Sequence, residues 1–492
     1  MKRTGLCLAA ILLSLTVLLP VLSGCAGDTS PDETEPVTTA AATVDATVTE
    51  EATSEVPDIP DTVWNREFRV LGCGDKASPS FPTFEIYAED YNGEAMNDAV
   101  FERNEKIKQK YGITVVQTLV DSTHNRIATS YSTGTDEFDL VFTYIYKIGG
   151  LAQRGYFYDM KNVDYIDFSK PWWNKNVTDT VSIKGHVYYN ASDYSLRDKN
   201  RVQVIQCNDS LIADLRLDPI PAIVDAGEWT AEKMTQYVLA GTDDLNGDGK
   251  HTKEDRYGLA LSSYDCFAAL CFGCGVRLID KDGDDGLMIV SDMVHDSNAV
   301  DAVLKMFTRE CAMSPEDYER DWDIASDTFE DGRALFTINS ITYVGYYSSN
   351  CTFDFTVLPC PMLDADQKAY YSMPEVRSML FSIPVTNPDP DFTGFALEAF
   401  SAASTDSTKT TFIELYCKAR NVRNADSVRM MNVVLGGIVF ESSIFYSDTV
   451  PLYSILGTHV PTAKANVFQR YMSSFKNKAQ TEIDKINTDF AN

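Results

Sequence analysis

Residues 26–60 cannot build a core, and that decides what the rest of the chain must do. The stretch from Ala26 to Pro60 is dominated by Thr, Ala, Val, Glu, Asp and Pro, with nine carboxylates, no Lys or Arg and no aromatic residue. It keeps neither a period of 2 nor one of 3.6. Such a segment buries too little apolar surface to offset its ordering entropy, so an extended acidic tether is expected. Composition changes at Trp64, and aromatic residues recur from there to Asn492. The folding unit is therefore the body of about 430 residues that starts at Trp64. That is too long for one ordinary core, so two domains are expected.

The residues before the tether read as an export signal. Lys2 and Arg3 precede a largely apolar run from Leu6 to Leu19, and Leu22-Ser23-Gly24-Cys25 follows Pro20. A charged start, an apolar middle and small residues before the cut define a secretory signal. The run is shorter than the roughly 18 clean apolar residues that a span requires. Leu-Ser-Gly-Cys resembles the bacterial lipobox, whose Cys is diacylated and becomes the first mature residue. The resemblance implies removal of residues 1–24 and lipidation of Cys25, with the tether filling 25–63. Two acyl chains suffice for stable anchoring. The expected place is the outer face of the cytoplasmic membrane, with the lipid as the only membrane contact.

A formal net charge of −30 would repel a duplex or an anionic lipid surface, so nucleic acid is excluded as a partner. Of eleven cysteines, Cys7 leaves with the signal and Cys25 takes lipid. Cys271-Phe-Gly-Cys274 has the spacing of a redox or zinc half-site, but no second CxxC or His pair accompanies it. Buried thiols acting as small hydrophobes are the expectation for the rest.

The body opens with strand and helix in alternation. Phe68–Leu71 reads as a strand, Asn97 as the cap of a helix closed by Gly112, Ile113–Val120 as a β-branched strand and Phe138–Phe142 as another. That order predicts an α/β fold with mainly parallel sheets covered on both faces. Thr230 is placed to cap a further helix, Phe329–Gly332 leads into a strand from Ala334, and the last hundred residues read as largely helical.

The sharpest local pattern is Asp244-Leu-Asn246-Gly-Asp248-Gly249-Lys250-His-Thr252-Lys-Glu-Asp255. Side-chain oxygens at positions 1, 3 and 5, Gly at 6, a carbonyl at 7 and an acid at 12 match the twelve-residue calcium loop. Asp244, Asn246, Asp248, the Lys250 carbonyl and Asp255 are the candidate ligands of a structural Ca2+. Position 12 departs from the pattern, being Asp rather than Glu. Aromatics supply a second signal: Tyr144 and Tyr146, the pair Trp172-Trp173, and Tyr188, Tyr189 and Tyr194 around Asp193. Flat faces beside carboxylates and amides suit sugars. Adjacent residues on extended backbone point in opposite directions, so one Trp of the pair is expected in the core and the other at a cleft. No GxSxG, GxxxxGK[ST] or HExxH occurs, and the five histidines have no ligand spacing. An enzyme is not expected, and neither is a catalytic cofactor.

Several landmarks occur in order along the body: Asn97-Asp-Ala-Val-Phe-Glu-Arg-Asn104 before Tyr111-Gly112, Asp136-Glu-Phe-Asp-Leu140, Lys170-Pro-Trp-Trp173, Lys184-Gly185, Gly227-Glu-Trp-Thr230, Tyr257-Gly258 and Phe329 to Phe336. In this order, on a chain with a lipobox, they resemble the extracellular solute-binding lipoproteins of ABC importers, the family that includes maltose-binding protein. The resemblance implies a two-lobed type II binding-protein fold with a hinge. Lobe one would comprise 64–197 plus 335–388, and lobe two 198–334 plus 389–492. Ligands of such open sheets bind at the carboxyl ends of strands. That rule puts Asp75, Tyr144, Trp172, Trp173, Asp193, Tyr264, Asn339, Glu375 and Arg377 at the crevice. The implied activity of a monomer is reversible capture of a small solute, with carbohydrate favoured, and delivery to permease subunits. Rival readings are a lipid-anchored glycoside hydrolase and a surface adhesin or sensor.

Overall fold

The computed structural model describes residues 57–74, 83–417 and 425–491. Its strands are β1 (Arg66–Cys73), β2 (Ile113–Val120), β3 (Leu140–Tyr144), β4 (Gln203–Asn208), β5 (Tyr257–Leu261), β6 (Ile279–Lys281), β7 (Leu287–Ile289), β8 (Ala312–Met313), β9 (Ala334–Ser340), β10 (Phe355–Leu358) and β11 (Met379–Ser382). Two sheets form, in the orders β11-β3-β1-β2 and β10-β4-β9-β5-β8, while β6 and β7 make a separate hairpin. The first sheet is parallel except for β11, and β5, β8 and β9 run parallel in the second. Val70 and Leu71, on opposite faces of β1, are both fully buried, as a strand covered on both sides requires.

Local rules account for many boundaries. The helix Ala95–Tyr111 ends at Gly112, whose φ of 68° lets its N–H reach the Lys108 carbonyl. Its start differs from the sequence expectation. Glu94 occupies the cap position, and Asn97 lies inside the first turn, donating to the Asp90 carbonyl. Thr230 does cap its helix, with Oγ1 accepting from the Lys233 N–H at 3.3 Å. Cys73, Cys207, Cys266, Cys271, Cys274, Cys311 and Cys360 are buried free thiols. Among the described residues no helix is long and apolar enough to cross a membrane.

Each sheet is the centre of one lobe, and the boundaries expected from sequence need correcting. The block 335–388 is divided between lobes: β9 and β10 lie in the second sheet, and β11 lies in the first. The helix Pro390–Ser404 belongs to lobe one, where Phe392 meets Trp64 at 5.0 Å, Phe395 meets Tyr111 at 5.1 Å and Phe400 stacks on Phe68 at 5.7 Å. Apolar spacing identifies a strand or helix but not the sheet it joins. Among the described residues the chain thus crosses between lobes three times: at 197–203, at 373–379 and through a wide helical turn at Thr405–Lys409. The first two crossovers lie side by side, with Gln203 N–H donating to the Met373 carbonyl and Glu375 N–H to the Arg201 carbonyl, both at 2.9 Å.

Candidate functional site

The carboxyl ends of the parallel strands and the paired crossovers define the crevice. On lobe one, β3 ends at Tyr144, whose hydroxyl shares a 3.1 Å hydrogen bond with the Cys73 thiol at the end of β1. Its ring stacks on Tyr146, and burial pushes its phenol above the usual range. Arg377, just before β11, is exposed, and its charge acts on Tyr144. On lobe two, Tyr264 and Asp265 follow β5, and Glu316 and Asp317 follow β8. The Tyr264 N–H donates to Glu316, its hydroxyl to Asp317, and Lys464 donates to the other Asp317 oxygen at 2.8 Å. Burial raises the Asp265 carboxyl to about 6, although it accepts the Tyr453 hydroxyl at 2.9 Å. Glu375 and Arg377 of lobe one both act electrostatically on Asp265 of lobe two. The structure therefore brings Tyr144, Glu375, Arg377, Tyr264 and Asp265 to one junction.

Asn339 lies at the same end of β9, 4% exposed, with its side-chain oxygen accepting the Ser340 N–H. Glu375 accepts the guanidinium of Arg201. Asp75 and Cys25 lie outside the described residues.

Three expected crevice residues are placed elsewhere. Trp172 and Trp173 are 2% and 4% exposed, and both indole N–H groups donate to one carboxylate, Glu398, at 2.7 and 2.8 Å. Each indole is held in the core of lobe one by a buried acceptor on the helix Pro390–Ser404, so neither faces a cleft. Asp193 is 3% exposed and accepts from Thr405 Oγ1 and Lys409 Nζ, both at 2.9 Å. Lys199 stands 3.7 Å away on the same carboxylate. Its role is to fasten the chain ahead of the first crossover to the third.

The calcium-like loop keeps its oxygens turned inward. Asp244 accepts the Gly247 and Gly249 amides, Asn246 that of Asp248, and Asp248 that of Lys250. Asp255 accepts the Leu245 and Thr252 amides, which hold its carboxyl below the usual range. Asp255 Oδ2 also accepts the Thr252 hydroxyl at 3.1 Å, whereas the Asp244, Asn246 and Asp248 oxygens each accept one amide and keep a lone pair that suits a hard cation. Among the described residues no group of three or more His, Cys, Asp or Glu is placed to hold a metal ion.

Sequence reasoning missed the polar groups along the first crossover. Glu85 and Arg197, 0% and 2% exposed, form a 3.2 Å ion pair that leaves Glu85 Oε2 and Arg197 Nη2 without partners. Asn200 is fully buried with both amide atoms unpartnered, and Gln203 Oε1 is unpartnered as well. Each such group costs about 1–3 kcal/mol unless something bonds to it. The run Arg-Asp-Lys-Asn-Arg-Val-Gln from Arg197 to Gln203 is a polar stretch ahead of a strand, the one sequence signal that could have pointed here. Chemically the set offers donors and acceptors side by side, with aromatic rings nearby.

No protein-family model matches the chain, and no curated protein matches it. Solved structures do. The ABC substrate-binding protein Lmo0181 from Listeria monocytogenes, in complex with cycloalternan, aligns at TM-score 0.53 and 15% identity over 85% of this chain and 98% of its own. The maltose/maltodextrin-binding domain MalE from Bdellovibrio bacteriovorus, bound to maltotriose, aligns at 0.54 and 15% over 85% and 100%. An ABC transporter solute-binding protein from Thermotoga lettingae, bound with alpha-D-tagatose, aligns at 0.53 and 14% over 84% and 99%. These neighbours are binding proteins, and the chain shares with them the two-lobed, maltose-binding-protein-like α/β fold.

Proposed function

We propose that the protein is a lipid-anchored extracellular solute-binding protein that captures a small carbohydrate between its lobes and passes it to an ABC permease. The observation that carries this reading is the set of buried, unpartnered donors and acceptors at Glu85, Arg197, Asn200 and Gln203. A hydroxyl both donates and accepts, so a polyol satisfies such a mixed set where a simple anion or cation would not. Tyr144 and Tyr264 supply ring faces at the junction of Glu375, Arg377 and Asp265, and the neighbours' bound sugars support the class. The working form is a monomer whose closed state binds solute better than its open state. Cys25 carries the anchor, and the loop from Asp244 to Asp255 holds a structural Ca2+ through Asp244, Asn246, Asp248, the Lys250 carbonyl and Asp255.

Calorimetric titration with maltotriose, other oligosaccharides and monosaccharides tests the reading. One sugar should bind and be recovered intact. Asn200→Ala should weaken it about tenfold or more, as loss of one or two buried hydrogen bonds implies. Hydrolysed product would favour the glycosidase. Absence of binding by any sugar would favour the adhesin or sensor.

A further inference from the structure

Lobe two also grips lobe one at contacts that none of the three crossovers makes. The grip is the turn of the β6–β7 hairpin, Asp282 to Gly286. Asp285 Oδ2 accepts the Ser182 hydroxyl at 2.5 Å and the Gly185 N–H at 2.9 Å, while its carbonyl accepts the Lys184 N–H at 2.8 Å. The receiving turn belongs to lobe one, because the Val187 carbonyl accepts the Met160 N–H and Asn190 pairs with Phe381 of β11. The hairpin belongs to lobe two, because Asn487 on the helix Phe468–Asp489 bonds both the N–H and the carbonyl of Leu287.

Both halves of the grip are held in unfavourable backbone. Lys184 has φ +51° and Asp285 has φ +58°, in the left-handed region that residues with a side chain occupy only when their surroundings hold them there. An apolar contact lies beside the polar one. A Cβ on Gly149, in the lobe-one helix Ile145–Gln153, would stand 2.6 Å from the Phe445 carbonyl, so this helix and the segment around Phe445 touch backbone to backbone. That segment is tied to the hairpin by Glu441, which is buried and accepts the Ile279 N–H at 3.0 Å. Tyr189 and Tyr446 share a hydrogen bond across the same boundary.

We infer that the hairpin turn and the Phe445–Tyr446 segment form a built-in clasp that keeps the lobes closed with no solute present. Opening then requires breaking the Asp285 bonds and separating an apolar contact, and solute adds to a closed state that already exists.

Residue-resolved amide exchange on the protein with no sugar added tests the clasp. The Lys184 and Gly185 amides bond only across the boundary, whereas the His186 amide bonds to Ile183 within its own turn. In the unaltered protein Lys184 and Gly185 should exchange at least about 100-fold slower than free amides. Asp285→Gly removes the carboxylate and suits the positive φ. It should abolish the protection of Gly185, whose N–H bonds to that carboxylate, leave His186 unchanged and enlarge the radius of gyration in solution scattering. Gly149→Val, which forces Phe445 away, should enlarge the radius in the same way. Fast exchange at Lys184 and Gly185 in the unaltered protein, or an Asp285→Gly variant whose radius of gyration is unchanged, would overturn the clasp. Neither result depends on any sugar, so the proposed function can fail while the clasp stands, and the reverse.

Discussion

Glu398 shows what one residue decides. Its two oxygens take both indoles of Trp172-Trp173, and one also takes the Asp167 amide. Those three donors favour the ionised carboxylate, but burial outweighs them and raises the group to about 7. A carboxyl raised above its unfolded value binds its proton more tightly when folded. Its contribution to stability is therefore complete below about pH 4.5 and is lost as pH climbs through about 7, on the order of 3 kcal/mol in all. Glu398→Gln carries no such proton. Its stability, followed by urea denaturation from pH 4 to pH 8, should lack that decline, so the advantage of Glu over Gln shrinks as pH rises. A constant difference across the range would show that Glu398 does not titrate there. The Trp pair was misread for the same reason: its acceptor stands more than two hundred positions away, and no local pattern announces it. Asn200 and Gln203 were missed because an unpartnered amide looks in sequence like any polar residue before a strand.

At the scale of elements, caps and turns were the legible part. Gly112 and Thr230 act on backbone groups a few residues away, so their meaning is local. Strands were legible as strands, yet β9, β10 and β11 divide between two sheets with no change in their apolar character. Pairing is decided by partners far along the chain, as with the Gln203–Ser340 register of β4 on β9. The loop from Asp244 to Asp255 is the element whose ligand can be tested alone. Calcium at a hundred times its dissociation constant should add ~2.7 kcal/mol, and for a body of this size that raises Tm by about 3 °C. Chelation should reverse the rise, and Asp244→Ala should remove it while leaving the calcium-free Tm nearly unchanged. A Tm indifferent to calcium in the unaltered protein would make this loop a plain acidic turn.

At the scale of the molecule, neither lobe is a continuous piece of chain. Lobe one takes β1 to β3, then waits for β11 and the helix Pro390–Ser404, which arrive only after the second sheet has been threaded. The final helix Phe468–Asp489 returns to lobe two, packing on β7. One apolar cluster crosses the boundary, joining Leu71, Val141 and Ile148 of lobe one to Leu259, Phe336 and Tyr446 of lobe two. Removing either lobe would uncover part of the other's core, and the apolar area exposed disfavours any half-folded state at about 25 cal/mol per Å². Proteins of this size often unfold in steps, so the shared cluster makes a specific claim against the usual expectation. Scanning calorimetry should show one transition, with calorimetric and van't Hoff enthalpies in agreement. A bound sugar should move that single peak upward without splitting it, because both lobes contribute to the crevice. Two resolved transitions, only one of them shifted by sugar, would mean that the lobes hold their cores separately and that the cluster between them is contact without cooperativity.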